Sequence, residues 1–160
     1  LADMAKLACK NGIIVDENSR TEDAHIYAVG DCTSYLHPYV GKPIRLESVQ
    51  NANDQGRSAA AAIANNPKPY VTVPWFWSIQ YNAKLQMVGL RDGCDETVQC
   101  GKMSADSFSL FHFRNRQLRA VESVNRSIDY IRARKLLAAG VSPSPETVAD
   151  ENFNLKDFTV

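Results

Sequence analysis

The chain has 160 residues, 44% of them hydrophobic and 22% charged, with eighteen basic residues against eighteen acidic ones. This is the composition of a soluble globular protein of one ordinary or two small domains, and zero net charge removes the electrostatic case for nucleic-acid or membrane-surface binding. No window approaches the roughly 18 apolar residues of a membrane span, and Leu1 to Lys6 lacks the basic-then-apolar order of a secretory signal.

Leu1 to Lys10 is predicted as a short helix, with Leu1, Met4, Ala5 and Ala8 at helical spacing, stopped by Asn11-Gly12. Ile13-Ile14-Val15 reads as a strand and Asp16 to Ser19 as turn chemistry. Ile26 to Val29 is predicted as a second buried strand ended by Gly30-Asp31, and Thr33 to Pro43 as a Pro- and Gly-bearing loop. Ser48 to Ala64 is the clearest helix, with Ser48 as N-cap and Ala59 to Ala62 of high helix propensity. Gly56 within it costs about 1 kcal/mol relative to Ala, for which a close backbone approach is one reason. Asn65-Asn66-Pro67-Lys68-Pro69 then breaks the chain, so the expected domains are 1–69 and 70–160.

Beyond that boundary come five strand-like runs: Trp75 to Gln80, Lys84 to Gly89, Thr97 to Gly101, Ser107 to Phe113 and Leu118 to Val124. The last two flank Arg114 to Gln117 as a hairpin. Ser127 to Ala139 is a helix with Asp129 in its first turn. Arg132, Arg134 and Lys135 lie towards its other end, where they complement the macrodipole, and Gly140 closes it. A short helical turn follows Ser142-Pro143-Ser144-Pro145. The fold class is thus an α/β segment with too little sheet to close its own core, then a small α+β domain with an antiparallel sheet of about five strands.

Motifs exclude more than they assign. There is no G-x-G-x-x-G, P-loop, nucleophile elbow or H-E-x-x-H. His25, His37 and His112 are isolated in sequence and read as structural or solvated. Cys9, Cys32, Cys94 and Cys100 form no C-x-x-C pair and no zinc spacing, so no metal site is expected. They read as buried or inert thiols of a reducing cytoplasm.

Three stretches carry a resemblance. Thr21-Glu22-Asp23-Ala24-His25-Ile26-Tyr27-Ala28-Val29-Gly30-Asp31-Cys32 resembles the second flavin-contacting motif of the two-dinucleotide-domain flavoproteins. Arg45-Leu46-Glu47-Ser48-Val49-Gln50-Asn51-Ala52-Asn53-Asp54-Gln55 and Pro74-Trp75-Phe76-Trp77-Ser78-Ile79-Gln80 narrow it. Together they resemble the FAD-dependent NAD(P)H:ferredoxin reductases of Rieske dioxygenase and bacterial P450 systems and the related rubredoxin reductases, from Leu1 to about Asp157.

The resemblance implies that residues 1–69 end an FAD-binding Rossmann-like domain and that electrons pass from NAD(P)H through FAD to a ferredoxin or rubredoxin. Asp31 would accept a hydrogen bond from a ribityl hydroxyl, with Gly30 letting the flavin's chain come close. The helix opening at Ser48 would present the Val49 amide and its positive dipole end to the flavin ring. Trp77 would lie against the flavin near the partner surface. Ile79 stands where the family usually carries an Asp. A basic rim of Arg57 first, then Lys84 and Arg91, would steer an acidic partner.

No side chain is assigned a catalytic role, since the flavin carries the chemistry. The chain opens on Leu1 rather than Met, and the pyrophosphate loop and NAD(P)H site are expected upstream. The FAD site in the chain would then be incomplete, the chain alone inactive, and the first 70 residues prone to self-association. The alternatives are a non-catalytic redox-partner docking module and a fragment of another flavoenzyme of the same superfamily. Disulfide reductases fit poorly: His37-Pro38 lies in the loop after Gly-Asp, not near the C-terminus with a following Glu.

Overall fold

The β-branched run Ile13–Val15 forms the first strand, β1, of the structure, a computed structural model that describes residues 1–158. The chain divides into two compact units, Leu1–Thr72 and the residues from Val73 onward. The first unit has a three-stranded sheet of β1, β2 (Thr33–His37) and β3 (Lys42–Ile44), with β2 in the middle. β1 runs parallel to β2 with Ile13 opposite Thr33, and β3 runs antiparallel with Ile44 opposite Tyr35. Its helix, α1, spans Val49–Ile63.

Several sequence expectations change here. Leu1 to Lys10 is a set of turns rather than a helix: Ala5 and Leu7 donate to the Leu1 and Ala2 carbonyls, and Lys6 then adopts a left-handed φ of 58°. A stretch this short does not hold a helix without packing, and Leu1 and Met4 stay exposed. Ile26 to Val29 is not a buried strand. Thr21 N–H donates to the Ile26 carbonyl, the Thr21 hydroxyl reaches the carbonyls of Asp23 and Ile26, and Ala28 N–H donates to Ser19. Local turn bonds have taken the backbone groups that a sheet ladder would use. The second strand comes instead from Thr33–His37, inside the expected loop, where Thr33, Ser34, Tyr35 and His37 are buried. Tyr70 belongs to the first unit, its N–H donating to Glu17 and its ring beside Tyr35 and His37.

The second unit is built on one antiparallel sheet in the order β4-β5-β8-β7-β6. Its strands are β4 (Trp75–Gln80), β5 (Ala83–Gly89), β6 (Glu96–Lys102), β7 (Ser107–Arg114) and β8 (Gln117–Val124). The β7–β8 hairpin turns through Asn115 and Arg116, both at positive φ (49° and 64°), as a two-residue hairpin loop requires. Gly89 is obligatory: at φ +76° a Cβ would run into the Arg119 carbonyl oxygen on β8.

α2 (Ser127–Ala139) buries Tyr130, Ala133, Leu136 and Leu137 against Val88, Phe111, Phe113 and Val121 of the sheet. Burying a side chain of this size contributes about 1.5–3 kcal/mol, so this cluster carries the unit. Gly140 ends α2, donating to Leu136 and Leu137. No basic residue falls in the last turn of α2, so the expected dipole complement is absent, and Arg132 and Arg134 have specific partners instead. Arg134 lies 4.4 Å over the Trp75 ring, and Arg132 donates to the Leu155 carbonyl. α3 (Pro145–Ala149) is N-capped by Ser144.

Candidate functional site

α1 begins where Ser48, in extended conformation, caps it: its Oγ accepts from Asn51 N–H at 3.1 Å. The Val49 amide, first in the helix, has no acceptor inside α1, as for any first-turn N–H. The Val49 side chain is 57% exposed, so the helix opens onto the surface of its unit. No acidic residue occupies the first turn of α1 to neutralise its positive end.

Gly30 packs directly on this helix. At φ +80° its missing Cβ would stand 3.2 Å from the Ala52 Cβ, one turn into α1. The Gly30 N–H donates to Gln55 Oε1 at 2.7 Å. Gly30, Asp31 and Cys32 form a 3₁₀ turn whose Asp31 is exposed, and among the described residues no side chain bonds that carboxylate. Gly30, Asp31, Ser48 and Val49, far apart in sequence, therefore gather at one end of α1. They leave a free N–H, a free carboxylate and the exposed apolar chains of Val29 and Val49. This donor, acceptor and apolar set fits the ring and sugar-alcohol chain of a flavin.

Behind this surface the buried face of α1 is polar: Gln50, Asn51, Gln55 and Ser58, with Ala59. Asn51 takes the Tyr35 hydroxyl on Oδ1 at 3.0 Å and donates from Nδ2 to the Leu46 carbonyl at 3.0 Å. Gln50 donates to Tyr70 at 3.0 Å and to Asp54 at 2.6 Å. Burial raises the Tyr35 phenol well above its ordinary value and raises that of Tyr70, so both stay neutral. His37 lies against both rings, its centroid 5.4 Å from Tyr35 and 5.8 Å from Tyr70. Its Nδ1 accepts the Tyr39 N–H at 3.1 Å, which puts the proton on Nε2. Burial lowers its pKa to about 4, against a smaller opposing pull from the Thr72 backbone. Sequence reading missed this network. Its signal was the Gln50-Asn51…Gln55 spacing, which sets three amides on one face of a helix otherwise rich in Ala.

Arg57 projects from α1 and pairs with Asp54 at 3.0 Å. Gly56 has no close neighbour: nothing lies within 4 Å of the place a Cβ would take, so the expected backbone approach is absent.

In the second unit, Trp77 is 43% exposed and stacks on Trp75 at 5.6 Å between centroids. Trp75 is the inner member, edge-on to Tyr130. Ile79 pairs across the strands with Lys84, and both are exposed. Trp77, Ile79 and Lys84 share one face of the β4–β5 ribbon. Arg91 lies 3.9 Å from Glu122, whose other oxygen is 3.4 Å from His112 Nε2. Thr97 Oγ1 is 2.9 Å from His112 Nδ1. His112, first among the causes, holds the Glu122 carboxyl below its ordinary value.

Two thiols differ from expectation. Cys9 and Cys32 are exposed, while Cys94 and Cys100 are half-buried, and all four are free. Among the described residues there is no group of three metal-ligating side chains, and no helix is long and apolar enough to cross a membrane.

Residues 1–56 match the family described as pyridine nucleotide-disulphide oxidoreductase, and residues 75–159 match the family described as reductase C-terminal. Rhodocoxin reductase of Rhodococcus erythropolis is 47% identical over 98% of this chain and 36% of its own length. Putidaredoxin reductase of Pseudomonas putida is 34% identical over 99% of this chain and 37% of its own. The crystal structure of the ferredoxin reductase for the CYP199A2 system from Rhodopseudomonas palustris superposes with a TM-score of 0.91 and 45% identity, over 98% of this chain and 39% of that one. The chain thus spans well under half the length of these relatives. With more than half of its residues in that match, and with the five-stranded sheet and α2 that the match covers, the chain belongs to the reductase C-terminal family.

Proposed function

We propose that the chain serves in an FAD-dependent NAD(P)H:ferredoxin reductase, supplying one side of the flavin site and part of the partner-facing surface. The observation that carries this is the packing of the Gly30–Asp31 turn on the first turns of α1, beside the free Val49 amide. When bound, the flavin supplies hydride acceptance from a nicotinamide and single-electron donation to an iron–sulfur or rubredoxin partner. Asp31 would hold the cofactor's sugar-alcohol chain by accepting a hydrogen bond from it. Val49 N–H and the positive end of α1 would hold the ring edge where negative charge collects on reduction, and so would favour the reduced form. Ser48 fixes the start of α1 by capping Asn51.

Trp77 gives the second unit an exposed aromatic surface for the flavin or the partner. Arg57 and Lys84 offer cations to an acidic ferredoxin or rubredoxin, Arg57 with its charge partly answered by Asp54. The NAD(P)H site and the pyrophosphate loop are assigned outside these residues. Four free thiols, two of them exposed, suit a reducing cytoplasm. Self-association belongs to the same reading, through the exposed apolar side chains of the first unit.

The test is a visible absorbance spectrum after incubation with excess FAD and removal of the unbound cofactor. A retained flavin spectrum that is lost in Asp31→Ala is the expected result. Equal retention by the wild type and Asp31→Ala would remove Asp31 from the site, and no retention by either would overturn flavin binding by this chain.

A further inference from the structure

Three donors converge on one oxygen beneath the candidate site. Gln55 Oε1 lies 2.7 Å from Gly30 N, 3.0 Å from Thr33 Oγ1 and 3.3 Å from Asn51 Nδ2. Gln55 is 1% exposed, so water cannot replace any of these partners. The Thr33 hydroxyl also reaches the Gly30 carbonyl at 2.8 Å, its single proton divided between the two acceptors. One amide oxygen therefore joins the Gly-Asp turn, the start of β2 and the first turn of α1.

The connection runs further through Asn51, which holds the Leu46 carbonyl on the segment entering α1 and takes the Tyr35 hydroxyl from β2. Asp31 is the residue after Gly30, and Val49 lies two residues before Asn51. The separation between the Asp31 carboxylate and the Val49 amide is thus set from below by Gln55. The Gly30–Ala52 packing contact is non-directional, whereas the amides and hydroxyls of the buried α1 face make hydrogen bonds that fix orientation.

We infer that Gln55 is a positioning residue that fixes the Gly30–Asp31 turn against the N-terminus of α1, and so sets the geometry of the flavin-binding pair without touching the flavin. The inference rests on the flavin reading for its functional consequence, but the clamp itself can be tested without cofactor.

The experiment is amide hydrogen exchange on the full chain, resolved at Gly30, together with FAD binding followed by flavin fluorescence. Gln55→Leu removes the acceptor at similar volume. It is expected to speed Gly30 exchange by about tenfold or more, with exchange at β6–β8 unchanged, and to weaken FAD binding by about tenfold. Gln55→Glu keeps an oxygen acceptor and is expected to hold Gly30 exchange near the wild-type rate with FAD affinity largely restored. It also serves as the deciding variant if Gln55→Leu does not fold, and fast Gly30 exchange in it would overturn the clamp. Unchanged Gly30 exchange in Gln55→Leu would overturn it as well. Faster exchange with undiminished FAD affinity would make the clamp structural and overturn the positioning role. A wild-type chain that takes no FAD would instead refute the flavin reading and the functional half of this inference, while the exchange data still decide the clamp.

Discussion

His37 sits fully buried between Tyr35 and Tyr70 with its pKa lowered to about 4, so folding selects its neutral form. Between that value and about 6.5, the ordinary histidine value, the unfolded chain binds more protons than the folded one, so stability rises with pH across that window. The contribution is complete above pH 6.5 and is lost as the pH falls towards 4. Acidification from pH 7.5 to 5 should therefore cost the first unit about 2 kcal/mol, above the range where most carboxylates titrate. Urea denaturation followed by amide exchange in β2 measures this, and His37→Leu should flatten the dependence. A wild-type profile that is already flat over this range would mean that His37 is not held neutral. Glu122 behaves oppositely in charge but not in sign: its depressed value means that its stabilising contact with His112 is present above the ordinary carboxylate range and lost as the pH falls through its folded value.

Elements differ in how much of their placement could be read from sequence. The five strands of the second unit were legible because each alternates around apolar or aromatic residues and is separated from the next by turn chemistry. Phe111 and Phe113, two apart on β7, both point into the core. α1 and α2 were legible from their caps, Ser48 and Gly140. β2 was not, since Thr33-Ser34-Tyr35-Leu36-His37 buries four polar or amphipathic side chains and exposes its Leu, the reverse of the usual pattern. Ile26 to Val29 failed for the converse reason: an apolar run was taken over by turn bonds from Ser19 and Thr21. The candidate site residues were proposed from motif resemblance, while the amides beneath them were not, because no local pattern shows which side of a helix meets polar partners. Gly56 offers a test at this scale. Its surroundings are open, so Gly56→Ala should stabilise α1 by up to about 1 kcal/mol, read as a higher denaturation midpoint with an unchanged slope. A loss of stability would reveal a constraint on that position.

At the scale of the whole molecule, both units expose apolar side chains while their interiors differ in chemistry. The first unit exposes Leu36, Ile63 and Val71, each more than 60% accessible, together with Ile14 and Val49. Sedimentation velocity across a concentration series should show reversible association, weakened by Leu36→Lys. A single monomeric species throughout would refute it. The second unit exposes Ile79, Tyr81, Ile128 and Ile131 as well, but encloses Phe111, Phe113 and Tyr130 in the sheet and α2 cluster. The two units therefore owe their stability to different chemistry. The α1 seat of Gln50, Asn51, Gln55 and Ser58 adds little to the heat capacity of unfolding, since exposing polar groups lowers that quantity where exposing apolar groups raises it. Calorimetry of the first unit would trace a shallow stability curve, slow to weaken in the cold, whereas the Phe111, Phe113 and Leu136 core of the second would trace a steeper one.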